Sequence, residues 1–355
     1  MDDRGIQTHG IRAYGTYLPA YRLQTDTMKP LWNTKRDLIE HLGVRSKSVL
    51  SPFEDTATIA AQAARRALIQ GEIDPESLGA IFVGSESHPY AVKPTGTIVQ
   101  TLLGMQKREL FCADLEFACK AGTAAIQLLM GLVSGALIDR GLAIGADDSQ
   151  ASAEDILDVS TGAGAAAFVI ERSSDKTIAR INQTLSITQD IPDFWRKEDE
   201  RFPTHGGRFT GKPAYFDTIL RGSTLLMERT QTRPQDYDHV IFHGPNRFFP
   251  LAIAKRLGVA PTQLTSLALI EQIGNTYSAN SMLGLAYVLD RAAPGDRIFL
   301  CSYGSGAGAD AYDLTVTEGI LSIDRSTYSL QRQLDAQQNL SYERYLLFKN
   351  MFTFR

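Results

Sequence analysis

The sequence predicts an α/β fold made of two similar halves, with buried and largely parallel sheets. Three observations carry this expectation. Strand-like β-branched runs alternate with helical patterns of about 12 to 20 residues. Two stretches are apolar nearly all round and dense in Gly and Ala, the composition of helices buried between layers. The order of elements also recurs, in a chain of 355 residues, longer than the roughly 250 to 300 at which a single core usually splits.

In chain order, residues 56–70 (TATIAAQAARRALIQ) read as an Ala-rich amphipathic helix, 78–84 as a short apolar strand, and 98–104 as the close of another helix. Residues 122–137 form the first all-round apolar helix, and 142–146 (LAIGA) a strand. The second half repeats this. DYDHVIF at 236–242 parallels ESLGAIFV at 76–83, and each is followed by a polar motif and a helix ending in a Leu-Gly pair. Residues 278–292 are the second buried helix and RIFLCSYG (297–304) its strand. The glycine clusters TGAGAAAFVI (161–170) and GSGAGADAYDL (304–314) correspond as well. Such a duplication places a site at the junction, with residues supplied by both halves.

Residues 184–222 fall outside the repeat and carry Trp195, a charged run (RKEDER) and a double glycine, which suits a functional loop or cap. The tail from Ile323 is polar, then aromatic (YERYLLFKNMFTFR), and its apolar end should pack on the body, a second subunit or a partner. The expected divisions are 1–175 for the first half, 176–222 for a substrate-access cap, 223–322 for the second half and 323–355 for the tail.

Of the residues, 43% are hydrophobic and 21% charged, an ordinary globular balance. A formal charge of -4 leaves no general cationic surface, which argues against nucleic acid or an acidic membrane as partner. With a polar start (MDDRGIQTHG) and no apolar run of about 18 residues, neither signal peptide nor membrane span is expected, and the chain should be cytoplasmic. Its three cysteines, at 112, 119 and 301, fit neither a zinc motif nor a disulfide framework.

Cys119, in DLEFACKAGTAA, sits where a strand-like segment meets the first buried helix. A helix N-terminus favours a thiolate, and small neighbours leave room for an acyl group. The residue is either a nucleophile or an inert core thiol. Cys112 and Cys301 lie inside apolar strands and read as core. Glu86 follows a fully apolar strand in GSESHPYAVKP, where burial would raise its pKa into the range of a general base. His243 ends the equivalent strand of the second half. It is either a hydrogen-bonded structural histidine or the counterpart of Glu86. Asn275, in IGNTYSA, stands before the second buried helix, either to donate to an oxyanion or to cap the helix. GSGAG at 304–308 lacks the spacing of a nucleotide loop and reads as glycines that allow close backbone approach, leaving the Ser305 N–H open to a substrate oxygen.

Taken in order, SESHPYAVKP, DLEFACKAGTAA, IPDFWR…HGGRFTGKPAYF, FHGPN, IGNTYS and SYGSGAGADA resemble the motifs of archaeal-type 3-hydroxy-3-methylglutaryl-CoA synthases, over residues 14–317. The resemblance implies a thiolase fold, two duplicated halves in five α-β-α-β-α layers, with Cys119 carrying an acetyl thioester. Glu86 would abstract a proton from its methyl group and His243 assist the carbonyl of an acetoacetyl thioester. Asn275, Ser305 and Ser160 would contact substrate; apart from the resemblance, the cap charges Arg208 and Lys212, with Thr210, and Arg247 are expected to meet the substrate's phosphates. Acyl-CoA thioesters would be substrates, with no cofactor and no metal. A homodimer is implied, and a complex with a thiolase and a small OB-fold protein is compatible with the resemblance.

The chain departs from that pattern. Gly244 stands for a glutamine, and Phe248 and Ala252 stand where the family carries a lysine and an arginine that hold CoA; Arg247 is adjacent. The layout also resembles ketosynthase-like subunits of diacylphloroglucinol-type acyltransferase complexes, which gives an alternative function in secondary metabolism. That group lacks the cysteine. A non-catalytic scaffold subunit would require the whole Cys-Glu-His set to be vestigial.

Overall fold

The computed structural model describes residues 9–29, 40–197, 199–207 and 210–351. The first half runs β1 (His9–Tyr17), β2 (Tyr21–Gln24), β3 (Ser46–Val49), α1 (Thr56–Gln70), β4 (Ala80–Gly84), α2 (Thr95–Leu102), β5 (Phe111–Leu115), α3 (Ala121–Ser134), β6 (Arg140–Asp147), α4 (Ile156–Ser160) and β7 (Gly164–Arg172). The second continues with β8 (Ala179–Ile191), β9 (Phe194–Trp195), β10 (Thr204–His205), α5 (Phe216–Thr230), β11 (His239–Phe242), α6 (Phe248–Leu257), α7 (Leu267–Ile273), α8 (Asn280–Leu289), β12 (Arg297–Cys301) and β13 (Gly306–Val316). The chain closes with α9 (Leu330–Asp335), β14 (Gln338–Leu340) and α10 (Tyr342–Phe348).

Strand pairing displays the duplication. β1, β7, β6 and β4 lie side by side as antiparallel, antiparallel and parallel neighbours. β8, β13, β12 and β11 repeat that order and those senses. β5 adds parallel to β4 at the edge. The two halves join into one sheet where β1 pairs with β8 over His9 to Ile11.

Helices cover both faces of each half. Ile59, Ala60, Ala63 and Leu68 of α1 pack on Ile81, Val83, Leu142 and Val169 outside the first half. Ile219 and Leu226 of α5 and Ile253 of α6 pack on Val240, Phe242 and Phe299 outside the second. Between the halves, Ile126 and Leu129 of α3 and Met282, Leu283 and Leu285 of α8 share one core with Phe82, Phe168, Ile241 and Leu300. These are the five expected layers. The sheet is less parallel than expected, because the strands after the glycine clusters, β7 and β13, run antiparallel to both neighbours. Helices bury both faces of β7 and β13, so neither shows the polar alternation that usually marks an antiparallel strand.

Close approach in the middle layer depends on small residues. A Cβ on Gly145 of β6 would lie 2.6 Å from the Ser278 carbonyl oxygen and 2.8 Å from Met282 Sδ. Since a backbone atom cannot yield like a side-chain tip, Gly145→Ala is expected to cost about 1 to 3 kcal/mol of stability. Chemical denaturation would show it as a lower midpoint at unchanged slope; an unchanged midpoint would mean that β6 and the start of α8 pack more loosely than this.

The tail packs on the body. β14 pairs in parallel with β2, and α10 buries Tyr342 and Tyr345 against Leu23, Met28, Val49 and Val159. Among the described residues, no helix is long and apolar enough to cross a membrane.

Candidate active site

Cys119 lies in a tight turn between β5 and α3. Ala118 takes φ +45°, a left-handed conformation that a residue other than glycine adopts at a cost. The second half's glycine turn presses against this bend: a Cβ on Gly304 would sit 2.5 Å from the Phe117 carbonyl oxygen. Close approach is thus the purpose of those glycines. Lys120, the next residue, is buried with its Nζ 2.8 Å from Asp310 Oδ1, and Thr123 Oγ1 donates to Asp310 Oδ2 at 2.8 Å. The start of α3 is thereby fixed against β13.

The Cys119 thiol donates to Glu86 Oε1 at 2.8 Å. Burial, then the Glu86 charge, push the thiol well above its ordinary pKa. This corrects the expectation of a thiolate stabilised by the helix N-terminus: in a dry site beside a carboxylate, desolvation outweighs the helix dipole. Glu86 itself is pushed up to about 8, first by burial and then by the charge of Asp147. The resting pair is therefore a thiol facing a carboxyl group that changes protonation near neutral pH. Asn275 also reaches the thiol. Its Oδ1 accepts from the Tyr277 N–H at 2.9 Å, which leaves Nδ2 as the donor toward sulfur. Its backbone is held by the Ser160 carbonyl and the Gly162 N–H at 2.7 and 2.8 Å.

His243 closes β11. Its N–H donates to the Cys301 carbonyl at 3.0 Å, the Tyr215 hydroxyl donates to its carbonyl, and its ring lies 6.3 Å from that of Tyr303. It is 1% exposed, its Nδ1 has no hydrogen-bond partner, and burial pushes its pKa down to about 3. The imidazole is therefore neutral at rest.

A cleft of about 910 Å³ opens above this core, lined by Glu86, Ala118, Gln150, Trp195, Arg196 and Ser305 among others. Trp195 is 42% exposed at its wall. The other sequence-predicted contacts fall elsewhere. The Ser160 hydroxyl donates to the Ile156 carbonyl within α4, so Ser160 reaches the site only through Asn275. Thr210 Oγ1 donates to the Asp193 carbonyl at 3.0 Å. Lys212 is exposed, and Arg247 Nε is bound to Glu271 Oε1 at 2.6 Å. None of these four lines the cleft, and Arg208 lies outside the described residues.

Sequence reasoning missed two buried carboxylates that organise the site. Asp147, at the end of β6, accepts from Ser85, Ser87 and Ser278 hydroxyls at 2.7, 2.7 and 2.6 Å and from the Glu86 N–H at 2.8 Å. It fixes the Glu86 loop while repelling the Glu86 charge. Its signal was available, for it ends an apolar strand as Glu86 does. Asp193 accepts from the Tyr303 hydroxyl at 2.6 Å and the Gly306 N–H at 2.8 Å, which ties the cap to the glycine turn. Arg196 donates to the Glu86 carbonyl at 3.2 Å and is, among the described residues, the one Lys or Arg lining the cleft. His88 turns toward Thr95 Oγ1 and Asp114 Oδ2, at 2.7 and 3.3 Å.

Comparison with known proteins agrees with this geometry. Residues 227–314 match the family described as 3-oxoacyl-(acyl-carrier-protein) synthase III, C terminal. The hydroxymethylglutaryl-CoA synthase of Thermoplasma acidophilum is 48% identical over 96% of this chain and 97% of its own length. That of Methanopyrus kandleri is 47% identical over 97% and 98%. Among solved structures, MvaS in complex with 3-hydroxy-3-methylglutaryl coenzyme A superposes with a TM-score of 0.86 at 23% identity, covering 97% of this chain and 92% of that one. An HMG-CoA synthase complexed with CoA gives 0.85 at 24%, covering 95% and 89%. With the thiolase-type duplication, a thiol and carboxyl in contact at the junction and identity near one half along almost its whole length, the chain belongs to the hydroxymethylglutaryl-CoA synthase family.

Proposed function

We propose that this protein is an acyltransferase that condenses an acetyl group carried on Cys119 with an acetoacetyl thioester, giving a 3-hydroxy-3-methylglutaryl thioester. The observation that carries the reading is the 2.8 Å contact between the Cys119 thiol and Glu86: a nucleophile with its base. Glu86 takes the thiol proton as sulfur attacks acetyl-CoA, and the proton leaves with the departing CoA thiol. Glu86 then removes a proton from the bound acetyl methyl group, and the carbanion equivalent attacks the acceptor ketone. A neutral His243 meets that ketone as an N–H donor. His243 donates its N–H proton to the new alkoxide and is reprotonated, through water in the cleft, by the proton that Glu86 took from the methyl group, so both groups return to their resting states. Water finally releases the product from Cys119. These steps require the two thioesters and water.

The edge strand β5 supports a homodimer. Phe111 is 54% exposed and the rest of the strand is partly buried, and among the described residues no strand pairs with its outer edge, which suits pairing with a second copy.

One observation favours a second form of acceptor. Phe248, where the family carries a CoA-binding lysine, is 46% exposed at the start of α6 and packs on Phe216, Phe249 and His41. Arg247, the nearest replacement, is engaged by Glu271. A phosphate clamp is worth about 1.5 to 3 kcal/mol per charge-assisted bond. Its loss is tolerable for a substrate tethered to a carrier protein or supplied by a partner thiolase. The test is formation of 3-hydroxy-3-methylglutaryl product from acetyl-CoA with free or carrier-bound acetoacetyl groups. Product is expected from both, with kcat/KM about ten or more times higher for the tethered acceptor. No product from either overturns the reaction. A micromolar KM for free acetoacetyl-CoA that Arg247→Ala abolishes would show the clamp merely moved.

A further inference from the structure

We propose that the C-terminal segment, residues 338–351, is a positioning element of the acyl site, holding Asn275, the Glu86 loop and the cap through three separate contacts. The proposal rests on the reading of Cys119 as the acyl carrier.

The first contact is buried. The Tyr342 and Tyr345 hydroxyls of α10 donate to Asp158 Oδ2 and Oδ1, both at 2.7 Å. Lys47 Nζ, fully buried, lies 3.5 Å from Asp158 Oδ1 and 3.1 Å from the Tyr345 hydroxyl. Asp158 belongs to α4, a helix of five residues that is too short to hold its own place. The end of α4 supplies the Ser160 carbonyl and leads to the Gly162 N–H, and these two groups clamp the Asn275 backbone. Asn275 in turn faces the Cys119 thiol. Two tyrosines of the tail thus fix the helix that fixes the amide beside sulfur.

The second contact sits at the end of α10. Lys349 Nζ bonds Asp148 Oδ2 at 2.5 Å and the Ser149 carbonyl at 2.7 Å. The Asp148 N–H donates to Ser87 Oγ at 3.0 Å, next to Glu86, and Gln150 lines the cleft. Ser149 Oγ also meets Thr161 Oγ1 at 2.8 Å, which links this loop to the first contact.

The third contact reaches the cap. Arg201, between β9 and β10, donates to the carbonyls of Lys349 and Asn350. The same segment supplies Trp195, Arg196 and Pro203 to the cleft wall. Loops around the site that are remote from one another in sequence are therefore all pinned by one short stretch of chain. A packing role alone would need the apolar faces of Tyr342 and Tyr345, and would not need the hydroxyls or the Lys349 ammonium.

The test uses the full chain. Lys349→Met keeps the aliphatic stem and removes the ammonium, Lys349→Arg keeps the charge, and Tyr342→Phe with Tyr345→Phe keeps ring volume. The readouts are the rate of acetyl transfer to Cys119 at saturating acetyl-CoA by intact mass, the apparent donor KM, and Tm. Lys349→Met and the double Phe variant are expected to lose about 10- to 100-fold in acylation rate with donor KM within about twofold, and Lys349→Arg to recover most of it. Acylation rates per folded molecule equal to wild type in Lys349→Met and in the double Phe variant overturn the proposal, whatever the change in Tm. Should the double Phe variant not fold, Lys349→Met and its rescue decide. A wild-type protein that never forms the adduct overturns the Cys119 reading, and this proposal with it. Normal wild-type acylation with unaffected variants overturns this proposal alone.

Discussion

Cys119→Ala is expected to abolish the acyl adduct and to lower turnover by roughly 10^4-fold or more, since a covalent step cannot be replaced by positioning. All three thiols are made less acidic by burial: Cys112 to about 11, Cys301 to about 12 and Cys119 well above its ordinary value. Acidity therefore does not select among them. What selects is a base, and Cys119 has Glu86 at 2.8 Å, whereas Cys301 has weak contacts to backbone carbonyls at 3.8 and 4.0 Å. Peptide mapping after exposure to acetyl-CoA should place the acetyl group on Cys119 in the wild type and nowhere in the variant. Label on Cys112 or Cys301 would refute the assignment.

Glu86→Gln is expected to impair both half-reactions, and by amounts that separate with pH. From the sequence, one would expect this variant to accept the acyl group and fail only at condensation. The thiol contact revises that, because the group that deprotonates the methyl also receives the thiol proton. Near pH 7, acylation should fall about 10^2-fold and condensation about 10^2- to 10^4-fold, the range for loss of a general base. Substitution also removes the negative charge that, after burial, raises the thiol's pKa. As pH rises the variant's thiol should ionise unaided and acylation recover, while condensation does not, since an amide takes no proton at any pH. In the wild type a base must be deprotonated to act. With Glu86 pushed up to about 8, condensation should rise with pH and level off above that value. Single-turnover mass measurements from pH 6 to 10 would check both profiles. A variant that condenses normally once acylated would remove Glu86 from the second step.

Much of this was legible in the sequence, for reasons that particular residues make plain. The apolar strands before Glu86 and His243 announce themselves, because burial on both sides removes polar positions, as it does along α8, where every residue is buried; α3 reads the same way but keeps an open face, with Leu128 49% exposed. The same burial hid the direction of β7 and β13. β8 was hidden differently. Its stretch from Thr184 to Asp190 (TLSITQD) alternates, with Leu185 and Ile187 turned toward the α5 layer, but the polar partners made it look like the start of the cap. Glu86 and Cys119 could be placed because each stands at an element end. Asp193 and Arg196 could not, because their partners Tyr303, Gly306 and the Glu86 carbonyl are distant in sequence and only the fold unites them. The tail's role was illegible for the same reason: Tyr345 meets an aspartate 187 positions away.

The shared middle layer has a consequence for how this chain is made. A ribosome delivers β1 to β7 before any of the second half exists, and α3 then carries Ile126 beside a gap that Ile181, Met282, Leu300 and Leu314 close only later. At about 5 to 20 residues per second, the stretch from Arg172 to Leu289 takes roughly 6 to 23 s to emerge. For that interval the nascent first half presents an oily patch to solvent and to its neighbours on the same message. Crowded polysomes should therefore be the place where this protein is lost to aggregation, and a holding chaperone acting there should raise its yield more than one added after release.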